Sequence, residues 1–292
     1  MRTILALMSF AAAVAVVTPG GAMAREEAAK ETVTQKTATI DRPALVVAIS
    51  VDQFSADLFA QYRAHFTAGL ARLAQGSVFA SGYQSHAATE TCPGHSTILT
   101  GVHPARSGIA ANWWFDPGAA RKDKRIYCAE DETDPDSTSD NPVVSPAHLK
   151  VPTLGGWLKR ADPRSLNVAV AGKDRSAMMM GGKRLDAAYW WRGSGFETLK
   201  GKNSGKAAQA LNSKVSAAIG QGLPALTVPQ WCQSLDRAVA IGGFTIGTGK
   251  FDIAPQQASA FGQSPHLDIA VADLAISLVD EMKLGRDDAP DV

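Results

Sequence analysis

The stretch PALVVAISVD, residues 43–52, decides the fold class. Its apolar, often β-branched residues follow one another almost without interruption, which is typical of a strand buried on both faces of a parallel sheet. The run ends at Asp52. Ligands of open α/β sheets bind at the carboxyl ends of the strands, so Asp52 stands where chemistry is expected, although a helix N-cap or a loop aspartate also fits this position.

Helix and strand patterns alternate after this strand and predict an α/β fold with a mainly parallel sheet flanked by helices. Residues 195–260 are less regular, rich in Gly, Ala and Ser, and compatible with an insertion or a cap. Residues 287–292 read as a loop leading into a further strand, so we expect the sheet to be incomplete at the C-terminus. The patterns predict helices at 56–63, 67–74, 96–100, 153–160, 175–180 and 266–283, and strands at 77–83, 166–171 and 186–191.

The first 24 residues have the three parts of a secretory signal peptide. Arg2 precedes an apolar run over residues 4–17, and Ala-Met-Ala at 22–24 matches a cleavage site. The alternative is a retained membrane anchor, but the apolar run is short for a transmembrane helix, which needs about 20 residues. We therefore predict a periplasmic or secreted protein with no stable membrane span, a flexible leader at 25–42 and a domain over 43–292.

The composition does not indicate a polyanion partner. The formal net charge of the 292 residues is +1, with 45% hydrophobic and 20% charged residues, and no long run of like charge is present. Strong nucleic-acid binding requires a basic surface, so we expect no nucleic-acid partner. The sequence indicates no oligomeric state.

The three cysteines leave the disulfide pattern open. Export would permit a disulfide, and the odd number leaves one thiol over. A bridge between Cys128 and Cys232 is the pairing we expect, against an alternative in which Cys92 and both others stay reduced. No C-x-x-C pair is present, so the cysteines do not resemble a zinc site.

The run TETCPGH, residues 89–95, contains the candidate nucleophile Thr91. Pro93 suits the first turn of a helix, which places Thr91 at or just before the N-cap. Free backbone N–H groups and a partial positive charge at that end suit a phosphate. A threonine hydroxyl becomes a nucleophile only when a base or a metal removes its proton, and Asp52 could hold such a metal. Threonine is also an ordinary capping residue, so these features alone permit a purely structural role.

Several motifs in this order resemble the alkaline phosphatase superfamily, in its branch of type I phosphodiesterases and nucleotide pyrophosphatases. They are Asp52 after a strand, TCPGH at 91–95, TGVHP at 100–104, Gly-Ile at 108–109, Asn112, and Lys-Asp-Arg at 173–175. The resemblance implies that Asn112 contacts phosphate. The Lys173–Arg175 pair resembles the monoesterase group, the phosphate-irrepressible alkaline phosphatases of bacteria. In this family the histidine at the position of His95 supports the nucleophile loop.

The resemblance implies hydrolysis of small phosphate monoesters through a phosphothreonine at Thr91, with two zinc ions. A monoester carries more charge than a diester, which suits the cations Lys173 and Arg175. A phosphodiesterase or nucleotide pyrophosphatase, and a non-catalytic phosphate-binding protein, are the alternatives. Only Asp52 and Thr91 match zinc ligands of the family, whose Asp-x-x-x-His and Asp-His motifs are missing after residue 180. We therefore expect an N-terminal fragment of a longer enzyme, with impaired activity when alone.

Overall fold

The computed structural model describes residues 42–79, 82–84, 86–246 and 251–292. The predicted signal peptide at 1–24 and the leader up to residue 41 lie outside the described residues. Within the described ranges, no helix combines the length and the apolar character needed to cross a membrane.

The helices and strands follow one another in alternating groups along the chain. Short 3₁₀ helices cover Arg63–His65 and Gln230–Leu235. The α-helices are α1 Ala56–Tyr62, α2 Ala68–Leu73, α3 Thr91–Thr100, α4 Pro104–Ser107, α5 Leu154–Ala161, α6 Asp174–Gly181, α7 Lys206–Gln221, α8 Ala258–Gly262 and α9 Pro265–Glu281. The strands are β1 Trp113–Phe115, β2 Arg125–Tyr127, β3 Val168–Ala171, β4 Ala187–Arg192, β5 Gly195–Glu197, β6 Val239–Ile241 and β7 Phe244–Ile246.

The central sheet is built around two parallel strands. β3 pairs with β4 in parallel, and β4 pairs with β5 antiparallel. Backbone hydrogen bonds then connect residues 166–168 to Val292, and Asp291 to residues 44–46, in the parallel sense. The α/β class is confirmed, and residues 291–292 lie in the sheet, as the pattern at the end of the chain predicts. β1 with β2 and β6 with β7 form separate antiparallel pairs.

Helices cover both faces of this sheet. Side chains of a strand alternate between its faces, and β4 follows that rule. Tyr189 and Trp191 join the buried cluster that contains α7 and α9 residues, whereas Ala188 and Trp190 join the cluster that contains Met178 of α6. The central sheet is therefore packed on both faces.

The first predicted strand, 43–52, is wrong as a buried strand. Only Leu45 makes a bridge, to Asp291, and the chain then runs on as extended backbone outside any assigned strand. Val47, Ile49 and Val51 are 67%, 70% and 58% exposed. The physical reason is that no described strand lies beside residues 47–51, so neither the backbone groups nor the apolar side chains are covered.

Most other predicted elements are confirmed. The helices at 56–63, 67–74, 153–160, 175–180 and 266–283 are present within one to two residues at most ends, and so are the strands at 166–171 and 186–191. The strand predicted at 77–83 is wrong for residues 77–79, 82 and 83, which are the described residues of that range and form no strand. The helix predicted at 96–100 ends correctly before Gly101, whose φ is 69°, but it begins five residues earlier.

The segment 195–260 has two parts of different character. Phe196, Leu211 of α7 and Ile253 are buried in the cluster on one face of the central sheet. The β6–β7 pair is exposed along its length. An insertion or cap within 195–260 stays a prediction, and the exposed part between Gln230 and Ile246 is where it would lie.

Candidate active site

Helix α3 begins at Thr91. Glu90 is its N-cap, so Thr91 is the first helical residue and lies one position later than the sequence predicts. Pro93 falls in the first turn, where a missing N–H costs nothing because no acceptor lies there anyway. The first turn of α3 thus presents the Thr91 hydroxyl at the positive end of the helix, but not the expected set of free backbone N–H groups, because Asn112 accepts the Cys92 N–H and Pro93 has none.

Asp52 lies beside the Thr91 hydroxyl. Thr91 Oγ1 donates to Asp52 Oδ2 over 3.5 Å, and Lys173 Nζ is also 3.5 Å from that oxygen. These residues come from the extended segment after residue 46, from α3 and from the end of β3. The structure therefore brings together three of the predicted site residues, and with 40% of the Asp52 side chain exposed the group is open to solvent.

His95 lies one helical turn after Thr91 and is buried. Its Nδ1 is 2.9 Å from the carbonyl oxygen of Thr91, and its Nε2 is 3.7 Å from Asp52 Oδ1. A carbonyl oxygen only accepts, so Nδ1 carries the proton of this hydrogen bond. Burial lowers the pKa of His95, although the charge of Asp52 opposes this effect, and the neutral ring is favoured. These contacts agree with a supporting role for His95 in the nucleophile loop.

Asn112 is held against the first turn of α3. Its side-chain Oδ1 accepts the Cys92 N–H over 2.8 Å, and its backbone N–H donates to Glu90 Oε2 over 2.6 Å. Because the backbone N–H of Cys92 needs an acceptor, the amide oxygen faces the helix and the NH₂ group remains as a donor. Glu90 was missed by the sequence reasoning, and its position directly before Thr91 is the one signal that could have found it.

Lys173 and Arg175 flank the start of α6, directly after β3. Lys173 is the N-cap and Asp174 is the first helical residue. Helices α3 and α6 pack against each other, and the charges of both cations reach His95, whose pKa they lower. The beginnings of α3 and α6 thus bring the Thr91 hydroxyl and the two cations into one region, where Lys173 lies 3.5 Å from Asp52 Oδ2.

Tyr127 connects Asp174 and Arg175. Its hydroxyl donates to Asp174 Oδ1 over 2.6 Å and accepts from Arg175 Nη1 over 3.4 Å, while the Arg175 N–H donates to the same carboxylate oxygen. Burial, followed by the negative charge of Asp174, raises the pKa of Tyr127 well above its usual range, so the hydroxyl keeps its proton. The sequence carries no signal for Tyr127, which lies on β2, 48 positions before Arg175.

The disulfide joins Cys92 to Cys128, so the predicted Cys128–Cys232 pairing is wrong. The Cα atoms of Cys92 and Cys128 are 6.4 Å apart, which is within the range for a bridge. Cys232 is free in the 3₁₀ helix Gln230–Leu235. Both bridged cysteines are fully buried, so the bridge points into the core and does not obstruct Thr91.

The residues present do not by themselves make a zinc site. Zinc takes about four protein or solvent ligands at about 2 Å. Asp52 and Thr91 offer two oxygens, and no group of three or more His, Cys, Asp or Glu side chains is gathered for a metal within the ranges that the structure describes. Lys173 and His95 occupy the positions around Asp52 instead.

Comparison with known proteins identifies the family. The model of the type I phosphodiesterase / nucleotide pyrophosphatase family matches residues 46–250. The chain belongs to this family. The matched range contains the first turn of α3, Asn112 and the Lys173–Arg175 pair.

Two relatives of this chain are named alkaline phosphatases. Alkaline phosphatase PhoK of Sphingomonas sp. is 49% identical over 252 residues, which are 86% of this chain and 45% of PhoK. Alkaline phosphatase PhoD of Zymomonas mobilis is 43% identical over 258 residues, 85% of this chain and 43% of PhoD. The chain therefore spans about half the length of the curated relatives it matches.

The solved structure of alkaline phosphatase PafA has the same fold over the matched part. The TM-score is 0.70 at 25% identity, and the match covers 86% of this chain and 52% of PafA. A second solved structure is a PafA variant in which a threonine, an asparagine, a lysine and an arginine are substituted. The fold expected from the family resemblance is confirmed.

Proposed function

We propose that this chain carries the nucleophile and the phosphate-binding residues of a metal-dependent phosphate monoesterase, an alkaline phosphatase. The observation that carries the proposal is that the Thr91 hydroxyl and the Lys173 ammonium each lie 3.5 Å from Asp52 Oδ2, at the beginning of a helix. The names of PhoK and PhoD support phosphate monoesters as substrates.

The substituted PafA variant supports the choice of residues. Its threonine and asparagine are 21 positions apart, as Thr91 and Asn112 are, and its lysine and arginine are two positions apart, as Lys173 and Arg175 are. Matching residue types at matching spacings, on the same fold, are expected of one site.

Each residue then has a role in phosphoryl transfer. Thr91 Oγ1 attacks phosphorus, the ester oxygen leaves, and water hydrolyses the phosphothreonine. The Asn112 NH₂ group, the Lys173 ammonium and the Arg175 guanidinium bind the non-bridging oxygens, whose charge they stabilise by position rather than by covalent chemistry. Zinc, of which the family resemblance implies two ions, would supply the Lewis acid that activates the hydroxyl, and Asp52 and Thr91 are the ligands this chain offers.

The two cations favour monoesters over diesters. A monoester carries up to two negative charges and three non-bridging oxygens, whereas a diester carries one charge and two such oxygens. Arg175 provides a planar fork and Lys173 a point charge, which together neutralise two charges. The description of the family model keeps the phosphodiesterase or nucleotide pyrophosphatase as the second candidate.

Binding of a matched pair of esters tests this substrate class without requiring turnover. Calorimetric titration compares phenyl phosphate with its methyl ester, methyl phenyl phosphate. We expect about tenfold tighter binding of the monoester, because a second charge-assisted interaction adds about 1.4 kcal/mol. Lys173→Ala and Arg175→Ala should each reduce this preference. Equal affinities, or tighter binding of the diester, would favour the phosphodiesterase.

The setting of this activity is outside the cell membrane. We propose that residues 1–24 direct export and that the mature chain works in the periplasm or the medium. The near-neutral charge supports small-molecule substrates rather than nucleic acid. The third alternative, a non-catalytic phosphate-binding protein, would retain the ester preference but form no phosphothreonine.

A further inference from the structure

A cavity opens beside the cations proposed to bind phosphate, at the carboxyl edge of β3 and β4. Ala171 of β3 lies level with Trp190 of β4, and the residues that follow both leave the sheet at the same edge. The cavity measures about 220 Å³ and is lined by residues 172–175, residues 190–192 and Pro142. This edge is where ligands bind in parallel α/β sheets.

The walls of this cavity carry an excess of positive charge. Lys173, Arg175 and Arg192 line it, against the single carboxylate of Asp174. That carboxylate is already engaged by the Tyr127 hydroxyl and by the backbone N–H of Arg175. The cavity is therefore suited to a group that brings negative charge of its own.

Two wall residues have hydrogen-bond donors that no acceptor satisfies. Trp190 is 3% exposed, and neither its indole N–H nor the Nε–H of Arg175 has a partner in the part of the chain that the structure describes. A buried donor without an acceptor destabilises the folded protein. Both residues line the cavity, so two donors without an acceptor lie close to it.

Arg192 has one neutral partner and one exposed anionic partner. It donates to the side-chain oxygen of Asn141, and its Nη1 is 3.7 Å from Glu197 Oε2. Both members of that ion pair are exposed, at 43% and 51%, and pairs of this kind contribute little. An anionic group in the cavity could take Arg192 as a partner without breaking a strong interaction.

The volume limits the size of the ligand. Pockets that hold drug-sized molecules measure roughly 300–1,000 Å³, so about 220 Å³ suits a group of a few atoms rather than a nucleoside. Because Lys173 and Arg175 belong both to the proposed phosphate site and to the cavity, a small ester bound at Thr91 can extend from one into the other.

We propose that this cavity is a substrate subsite for a second anionic group, a carboxylate or a second phosphate, and that Arg192 selects for it. The proposal rests on the proposed function, since it takes the phosphate to be held at Lys173 and Arg175. It names the substrate class as short phosphate monoesters with a further negative charge two to four atoms from the phosphate. Arg192 is then a specificity-determining residue.

A matched pair of ligands tests the subsite. 3-Phosphoglycerate and glycerol 3-phosphate differ chiefly in a carboxylate that replaces a hydroxymethyl group, and both are titrated calorimetrically into the 292-residue chain. We expect about tenfold tighter binding of 3-phosphoglycerate, from one added charge-assisted hydrogen bond. Arg192→Gln should reduce that preference to within twofold, and Arg192→Lys, which keeps the charge, should retain part of it. Arg286→Gln, the same change at an exposed arginine outside the cavity, should preserve it fully.

The possible results separate this proposal from the proposed function. Equal binding of the two ligands by the native chain overturns the subsite, and so does a preference that survives Arg192→Gln. Tight phosphate-ester binding that is insensitive to Lys173→Ala and Arg175→Ala overturns the assignment of the phosphate site instead. A chain that binds neither ligand nor inorganic phosphate overturns both. Circular dichroism of each variant shows that the fold is retained.

Discussion

At the scale of single residues, Tyr127 decides where the Arg175 guanidinium points. It accepts from Arg175 and donates to Asp174, while Asp174 also accepts the backbone N–H of Arg175. The neutral Tyr127 hydroxyl therefore orients the Arg175 guanidinium, and the raised pKa of Tyr127 keeps this hydroxyl protonated in alkaline solution. Because Tyr127 acts through Arg175, it is a positioning residue and touches no substrate.

Tyr127→Phe should weaken phosphate binding without unfolding the protein. Loss of one hydrogen bond of about 1 kcal/mol predicts roughly fivefold weaker binding of inorganic phosphate in a calorimetric titration. The double variant Tyr127→Phe, Arg175→Ala should be no weaker than Arg175→Ala alone, since Tyr127 acts only through that arginine. Tyr83→Phe, at a side chain that is 89% exposed, is the control. Additive losses in the double variant would contradict the positioning role.

The sequence singles out the proposed site residues more readily than the residues that hold them. Thr91, Asp52 and Lys173, which the structure brings together, were predicted because nucleophiles and phosphate-binding cations have characteristic types and motifs. Glu90 and Tyr127 were not found. Glu90 accepts the backbone N–H of Asn112, and Tyr127 on β2 orients the side chain of Arg175 on α6. Such contacts depend on the folded arrangement rather than on local pattern.

At the scale of elements, the beginning of α3 is fixed twice. Asn112, just before β1, accepts the Cys92 N–H, and the disulfide joins Cys92 to Cys128, just after β2. The β1–β2 pair thus holds the first turn that bears Thr91. The same pair carries Tyr127, which contacts Arg175, so one small hairpin holds both the proposed nucleophile Thr91 and the arginine proposed to bind phosphate.

Removing the disulfide should destabilise the protein and loosen this alignment. The double variant Cys92→Ala, Cys128→Ala should lower the free energy of unfolding by about 2–4 kcal/mol, because the bridge closes a loop of moderate length. Urea denaturation measures the change. Cys232→Ala, which removes the free cysteine, should stay within about 0.5 kcal/mol of the native chain. A double variant as stable as the native chain would contradict this role of the bridge.

The sequence failed for elements whose neighbours come from elsewhere in the chain. Hydrophobic periodicity finds α9 because a helix satisfies its own backbone. The run at 43–52 has the composition of a buried strand, yet burial requires strands on both sides, and residues 47–51 have none among the described residues. Disulfide pairing failed for the same reason, since it depends on which segments meet.

At the scale of the whole molecule, the described residues supply more of the proposed phosphate site than of the proposed metal site. Asn112, Lys173 and Arg175 provide donors and charge for a phosphate, whereas Asp52 and Thr91 provide two of the about four ligands that a zinc ion takes. We therefore expect these 292 residues to bind phosphate but to activate Thr91 poorly.

We predict that the 292-residue chain binds zinc weakly and turns over monoesters slowly. Mutation of residues that only hydrogen-bond to metal ligands already costs about 10–100-fold in metal affinity or activity. A zinc site that lacks ligands should therefore have a kcat/KM lower by more than about 100-fold than that of PhoK assayed alongside. Zinc retained after dialysis and hydrolysis of phenyl phosphate are the measurements. Turnover comparable to PhoK would contradict this expectation.

The central claim is that Thr91 forms a covalent bond to phosphorus. The most direct measurement is mass spectrometry of the peptide spanning residues 89–95, after incubation with zinc and phenyl phosphate and an acid quench. The account predicts phosphate on Thr91, its loss in Thr91→Ala, and its persistence in Thr89→Ala, the matched change two positions away. Hydrolysis that continues unaltered in Thr91→Ala, with no phosphorylated peptide from the native chain, would contradict it.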